Sequence, residues 1–162
     1  YIINMGASGS IANDLNIGDI VIGKYVVQHD FDITAFNHKL GYIPNIGIYI
    51  NSDNHLVNLS KKILKNNNYT FYIGTIASGD IFCTNKKQSN KIANEFEALC
   101  VEMEGATIGA VSEKFGIDAF TFYYAGDNLD ATQWDERSLK GLVNFDKKKE
   151  VALLAFELAL RI

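Results

Sequence analysis

The chain has 162 residues, of which 48% are hydrophobic and 21% are charged, so its composition is typical of a globular protein and excludes a disordered or fibrous one. Its 15 basic and 19 acidic residues give a formal net charge of -4, which argues against non-specific binding of nucleic acid through a basic face. No stretch approaches the roughly 18 uncharged apolar residues that a membrane span needs. The length favours one domain over residues 1–162.

The cysteines and the first residues bear on where the protein works. Cys83 and Cys100 lie too far apart for a C-x-x-C motif, and two cysteines make no disulfide framework. Two free thiols in a reducing cytoplasm are the simplest interpretation. The chain starts with Tyr1 inside an apolar run and shows no charged segment of a signal peptide. We therefore expect a cytoplasmic protein from whose front a piece is missing.

Strand-like and helix-like patterns alternate along the chain. β-branched and aromatic runs predict strands, and apolar residues at helical spacing predict helices. In chain order the patterns predict strands at 1–4 and 19–27, a helix through 56–64, a strand at 70–76, a helix at 86–96, a strand at 99–101, a helix from 103 to near 116, a strand at 118–124 and a helix through 151–162. This alternation predicts an α/β fold with a largely parallel sheet.

A run of small residues, Gly6–Ser10, directly follows the first predicted strand. Successive small residues let backbone N–H groups converge on an anion or a sugar hydroxyl. An ordinary tight turn is the favoured alternative, because the run matches neither common phosphate-binding glycine pattern.

The segment VEMEG at 101–105 lies at a predicted strand-to-helix junction. Ligands of open α/β sheets collect at the carboxyl ends of strands, and one carboxylate can accept two hydrogen bonds from the cis-diol of a ribose. In the alternative, which is slightly favoured on the residues alone, Glu102 and Glu104 both lie in the first helical turn and complement the helix dipole.

Two further segments follow predicted strands. In AGDNLD at 125–130, Asp127 could have a pKa raised by apolar surroundings and serve as a proton donor, although Gly-Asp-Asn is also common in turns. In SGDIFC at 78–83, Phe82 could stack on a base while the backbone around Cys83 binds its edge. Core packing of Phe82 is equally consistent with the spacing.

The segment HDFDITAF at 29–36 opens a long loop that also contains Pro44. His29 could bind a metal with a neighbouring aspartate, but no second histidine stands at ligand spacing, so a loop or core histidine is favoured. Phe36 and Pro44 could be apolar contacts for a partner subunit, or the loop could cover its own core. We expect no metal and no cofactor.

Together these segments resemble the nucleoside phosphorylase/nucleosidase superfamily, most closely its methylthioadenosine/S-adenosylhomocysteine nucleosidase branch. The resembling segments are NMGASGSI at 4–11, GDIVI at 18–22, HDFDITAF at 29–36, SGDIF at 78–82, VEMEG at 101–105 and AGDNLD at 125–130. The resemblance implies a three-layer αβα sandwich around a mixed central sheet, a homodimer and a place in methionine salvage. The family's first third, which carries the glutamate that activates the attacking water, has no counterpart in this chain.

The resemblance also implies roles for residues of the substrate site. Glu104 matches the residue that holds the ribose hydroxyls, and Met103 matches one that packs against the sugar. Phe82 matches the aromatic ring that stacks on the purine, and Cys83 the position whose backbone binds the purine edge. Asp127 matches the acid that serves the purine N7.

The resemblance implies a place in the site, but no chemical step, for further residues. Ala7 stands where many members have serine or threonine, and with Ser8 it is expected to line the substrate site. Four loop residues match positions that reach into the neighbouring subunit's pocket, around the 5′ substituent: Ile33, Phe36, His38 and Pro44.

Departures from the family pattern leave alternatives open. Gly126 replaces the usual serine before the acid, and Tyr123 stands where arginine is common. Asn4 occupies a position where phosphorylases commonly have an arginine that binds phosphate, which favours hydrolysis. We therefore expect a nucleosidase that splits a methylthioadenosine-type nucleoside. The alternatives are a purine or uridine nucleoside phosphorylase and a non-catalytic nucleoside-binding protein.

Overall fold

The computed structural model describes the backbone of residues 1–128 and 145–162, and the side chains of residues 1–126 and 146–162. Six strands and four α-helices lie in these ranges. In chain order they are β1 (Ile2–Ser10), β2 (Ile20–Gln28), β3 (Ile50–Asn51), α1 (Asn54–Asn66), β4 (Phe71–Ser78), α2 (Lys86–Phe96), β5 (Ala98–Glu102), α3 (Gly105–Phe115), β6 (Ala119–Asn128) and α4 (Phe145–Ala159). A short 3-10 helix, Thr34–Phe36, lies in the loop after β2.

The strands form one mixed sheet in the order β3-β2-β4-β5-β1-β6. β2 runs parallel to β4, β4 parallel to β5, and β1 parallel to β6, whereas β1 is antiparallel to β5. A further antiparallel pairing joins β2 to β6, so the five long strands close into a ring and β3 lies outside it on β2. The expected α/β fold with a mixed sheet is confirmed, while the three-layer sandwich stays a prediction.

Glycine allows β2 to pair on both sides at the closure of the ring. Gly23 faces Thr121 of β6, and the register between β2 and β4 shifts beside it. A Cβ at Gly23 would lie 2.8 Å from a methyl carbon of Ile76 and 3.0 Å from the carbonyl oxygen of Thr121. A side chain there would therefore push apart the strands that the closure brings together.

The first strand is longer than predicted, and this corrects the interpretation of Gly6–Ser10 as a turn. These residues belong to β1 and pair with β6 along their whole length and with β5 at their end. Gly6 leaves room for the ring of Tyr123, which would lie 3.2 Å from a Cβ at this position. Small residues in this strand thus serve close packing as well as the surface beyond it.

Apolar side chains fill both sides of the strands. One core cluster packs α1 and α4 against β2 and β6 through Leu56, Leu64, Leu158, Ile22 and Phe122. A second contains Val21, Ile76, Cys100 and Tyr123, which come from four different strands of the ring. Among the described residues, no helix is long and apolar enough to cross a lipid bilayer.

Candidate active site

Four strand ends meet at one edge of the sheet. β4 and β5 are parallel and end together, with Ser78 paired to Glu102. β1 ends beside β5, where Gly9 pairs with Val101, and beside β6, where Gly9 pairs with Asp127. The segments after these strands are therefore brought close together, although they are distant in the sequence.

A cavity of about 160 Å³ opens at this edge. The structure places six residues with expected substrate contacts around it: Ala7, Ser8, Phe82, Cys83, Met103 and Glu104. Gly9, Ile81, Val101 and Glu102 complete the lining, and the resemblance implies a substrate contact for none of these four. Residues from three separate segments of the chain thus share one concave surface.

The apolar part of the lining is unusually accessible. Phe82 is 47% exposed and Met103 is 42% exposed, whereas Cys83 and Ser8 are buried. The core-packing alternative for Phe82 therefore does not fit, since about half of its surface is exposed.

The buried groups of the lining are held in place. Burial raises the pKa of the Cys83 thiol, which keeps it protonated and a poor nucleophile. The Ser8 hydroxyl donates to the carbonyl oxygen of Tyr124 at 3.2 Å.

Glu102 is the most constrained polar group of the site. It is the last residue of β5 and only 6% exposed. Its Oε2 accepts the backbone N–H groups of Glu104 and Gly105, both at 2.8 Å, and the hydroxyl of Tyr123 at 2.5 Å. Burial raises the pKa of Glu102, and these hydrogen bonds oppose that rise.

Helix α3 begins directly after Glu104, which is its N-cap residue but makes no side-chain capping bond. Glu102 binds two N–H groups at this end instead, and Ser78 Oγ accepts a third, from Ala106, at 3.0 Å. The alternative is therefore wrong about position, because neither glutamate lies in the first helical turn, but Glu102 does serve the helix N-terminus. Glu102 caps the helix from the strand, and Glu104 is left exposed at the mouth of the cavity.

The loop that carries Phe82 is tied to the segment after β2. One oxygen of Asp30 accepts the backbone N–H groups of Asp80 at 2.6 Å and of Ile81 at 3.1 Å. Nearby His29 is buried, which lowers its pKa, while the charge of Asp30 opposes that shift. Among the described residues, no group of three or more His, Cys, Asp or Glu side chains is arranged to hold a metal ion. The acidic part of HDFDITAF therefore acts here as a backbone anchor.

Asp127, the expected proton donor, has its backbone in β6, paired with Gly9 at the cavity. Its side chain and residues 129–130 of the same motif lie outside the described residues. The backbone of Asp127 thus lies at the edge of the sheet where the cavity opens, and the role of its carboxyl group stays a prediction.

The four residues expected at a partner's pocket lie in the loop between β2 and β3 and do not line this cavity. Phe36 is 75% exposed, Pro44 is exposed and Ile33 is half-buried. The exposed ring of His38 stacks on Tyr42, with ring centres 4.4 Å apart. Phe36 does not cover its own core, so that alternative is wrong for this residue.

Comparison with known proteins gives a family match over nearly the whole chain. The model of the phosphorylase superfamily matches residues 1–159. An aminodeoxyfutalosine nucleosidase of Helicobacter pylori is 40% identical over 125 residues, which are 77% of this chain and 54% of that protein. A 5′-methylthioadenosine/S-adenosylhomocysteine nucleosidase of Oceanobacillus iheyensis is 38% identical over 115 residues, 70% of this chain and 50% of that protein. The chain thus spans about half the length of these curated relatives.

Solved structures agree with the sequence matches. A 5′-methylthioadenosine/S-adenosylhomocysteine nucleosidase from Helicobacter pylori, crystallised with butyl-thio-DADMe-Immucillin-A, superposes with a TM-score of 0.88 at 33% identity, covering 99% of this chain and 68% of that one. The Campylobacter jejuni nucleosidase of the same name gives a TM-score of 0.89 at 28% identity, covering 99% and 69%. With a family match from the first strand into the last helix, this chain belongs to the phosphorylase superfamily.

Proposed function

We propose that the protein is a purine nucleosidase that hydrolyses the N-ribosidic bond of methylthioadenosine- or S-adenosylhomocysteine-type nucleosides to adenine and the thioribose. The observation that carries this proposal is the gathering of Ala7, Ser8, Phe82, Cys83, Met103 and Glu104 around one cavity. The resemblance to the nucleosidase branch, which rests on short sequence motifs alone, implies a substrate contact for each of these six residues. Relatives named nucleosidases, at 38–40% identity, support the reaction class.

The site suits the charges that develop during the reaction. Breaking the bond builds oxocarbenium character on the sugar and negative charge on the purine. The exposed Glu104 carboxylate can accept hydrogen bonds from the ribose hydroxyls, and the half-exposed Phe82, which lines the same cavity, is proposed to stack on the base. Asp127, whose backbone adjoins the cavity at Gly9, is proposed to protonate N7.

The ten residues that line this cavity form only part of a nucleoside pocket. Their cavity of about 160 Å³ is smaller than the roughly 300–1,000 Å³ of typical small-molecule sites. We propose that further walls and the general base come from outside the described residues, including any chain before Tyr1, and from a partner subunit. We also propose that this reaction serves methionine salvage in the cytoplasm.

Direct assay tests the proposed substrate class. The protein expressed from its complete reading frame is incubated with methylthioadenosine, S-adenosylhomocysteine and aminodeoxyfutalosine, and released adenine is followed by chromatography. We expect hydrolysis of the first two. Aminodeoxyfutalosine is included because two relatives named aminodeoxyfutalosine nucleosidase are 38–40% identical to this chain. If it is hydrolysed far faster, the 5′ substituent that we propose is wrong. If no adenine is released from any of the three substrates, the proposed nucleosidase activity is wrong.

We expect turnover to be independent of phosphate. Asn4 replaces the cationic side chain expected of a phosphorylase, and its amide nitrogen is engaged with the Tyr123 hydroxyl at 2.5 Å. The described residues include only Arg161 as an arginine, and it pairs with Glu157 on the last helix. Adenine release is measured with and without phosphate, and the sugar product is identified. A 1-phosphate of the sugar product, formed at a rate that rises with phosphate, would assign the protein to the phosphorylases.

We expect a homodimer in which Phe36 contacts the partner near its pocket. This ring is 75% exposed at the end of a 3-10 helix, where a single protomer gives it no cover. Phe36→Asp should weaken the dimer in sedimentation velocity and lower kcat/KM in parallel. Phe115→Asp alters a ring that is 69% exposed at the end of α3 and is the matched control. A fully active monomer would contradict this arrangement.

A further inference from the structure

A chain of side-chain hydrogen bonds crosses the interior of the strand ring. Asn4 Nδ2 on β1 donates to the hydroxyl oxygen of Tyr123 on β6, at 2.5 Å. The Tyr123 hydroxyl in turn donates to Glu102 Oε2 on β5, also at 2.5 Å. Tyr123 is fully buried, and desolvation together with the Glu102 charge raises its pKa well above the ordinary value. Its hydroxyl therefore stays protonated at neutral pH and can donate a hydrogen bond.

The same oxygen of Glu102 fixes the backbone from which the exposed Glu104 projects. It accepts the N–H of Glu104 itself and the N–H of Gly105, both at 2.8 Å. Its other oxygen lies 2.9 Å from the place where a Cβ at Gly105 would stand, so the carboxylate fits closely against the start of α3. The orientation of this carboxylate therefore determines where the Glu104 backbone lies.

The three hydrogen bonds to Oε2 come from groups that differ in how well they can fix the Glu102 carboxylate. Two of these donors are backbone N–H groups of the segment that Glu102 positions, so they cannot by themselves anchor it to the sheet. The Tyr123 hydroxyl comes from a different strand that lies within the ring. Tyr123 thus links the turn at 103–105 to the interior of the sheet, alongside the side chain of Ser78 on β4, which also stabilises the Glu102 carboxylate, and Asn4 holds Tyr123 from the far side.

We propose that Tyr123 is a positioning residue for Glu104. By holding the Glu102 carboxylate, Tyr123 orients Glu104 toward the ribose hydroxyls in the cavity. This inference rests on the proposed nucleosidase function and on the contact between Glu104 and the ribose hydroxyls. It assigns no contact with substrate to Tyr123. A purely structural role for the hydroxyl is the competing account, since a buried carboxylate needs donors in any case.

A double-mutant cycle separates the two accounts. Tyr123→Phe, Glu104→Gln and the double variant are prepared from the complete reading frame, with Tyr72→Phe as the control. Tyr72 also donates a phenolic hydrogen bond, to the carbonyl oxygen of Asp14 at 2.9 Å, but does not line the cavity. Thermal midpoints are recorded for all proteins, so that activity is compared only among folded samples.

We expect Tyr123→Phe to lower kcat/KM for a ribonucleoside by about tenfold, the size of one lost bond to a charged group. In the Glu104→Gln background the same change should cost less than about threefold, because there is no longer a carboxylate to orient. It should also cost less than about threefold on a substrate that lacks the ribose 2′- and 3′-hydroxyls. Tyr72→Phe should leave kcat/KM unchanged.

The outcomes distinguish failure of this inference from failure of the function. An active wild type whose Tyr123→Phe variant is unimpaired, or loses as much with as without the Glu104 carboxylate, overturns the positioning role alone. A folded wild type that hydrolyses no purine nucleoside overturns the proposed function and this role with it. If Tyr123→Phe does not fold, Glu102→Gln replaces it in the same cycle, with the same expected lack of additivity.

Discussion

Replacing Asp127 with asparagine is expected to lower kcat/KM for a purine nucleoside by roughly 10²–10⁴-fold while binding persists. Asparagine keeps the shape of the side chain and removes the transferable proton. An ordinary aspartate has a pKa near 3.9 and is ionised at neutral pH, so a raised pKa, or a proton shared with N7, is required for this role. The residues before it in β6, Phe120 to Tyr124, are buried, and we expect apolar surroundings of this kind to raise the pKa of the acid. Gly126 offers no hydroxyl to orient the acid, which favours the lower end of the range.

The measurement compares two leaving groups. A substrate with a highly activated leaving group needs no proton from the enzyme, so Asp127→Asn should impair its hydrolysis much less. Asp118→Asn, an exposed acid just before the start of the same strand, is the matched control and should behave like the wild type. Equal losses on both substrates would show that Asp127 stabilises the end of β6 and does not transfer a proton.

The second large effect is expected from Glu104→Gln, which should reduce kcat/KM for a ribonucleoside about 10- to 100-fold. The amide keeps the size of the side chain but removes the charge that strengthens the hydrogen bonds from the sugar hydroxyls, a loss of about 1.5–3 kcal/mol. In the structure Glu104 is exposed at the cavity, and its Oε2 accepts the backbone N–H of Met103 at 3.3 Å. The carboxylate is thus accessible to a ligand.

Stability measurements separate this role from helix capping. Glu104 makes no side-chain capping bond, so Glu104→Gln should change the free energy of unfolding in urea by less than about 0.5 kcal/mol. Glu113→Gln, at an exposed glutamate within α3, is the control for loss of one charge. Wild-type kcat/KM together with a destabilised Glu104→Gln protein would refute the ribose contact and restore the role at the helix end.

Local periodicity was sufficient to predict most of the elements. The helix predicted at 86–96 is α2 with the same bounds, and the helix predicted to stop near Gly116 ends at Phe115, with Gly116 in the left-handed conformation. These features depend on neighbours three or four residues apart, which the sequence displays directly. Strand ends depend on partners far along the chain, so β1 and β6 extend beyond their predicted limits.

The sequence by itself determined the α/β class, the family and six of the ten residues that line the cavity, because these are carried by local patterns and by short motifs. Only the tertiary structure decided that five strands close into a ring and that Glu102 serves the backbone and leaves Glu104 exposed. The ring depends on pairing between distant segments, and the Glu102 carboxylate is bound by the distant Tyr123 as well as by two near backbone donors. Tyr123 meets Glu102 across 21 positions and Asn4 across 119, and burial in the ring makes those hydrogen bonds obligatory.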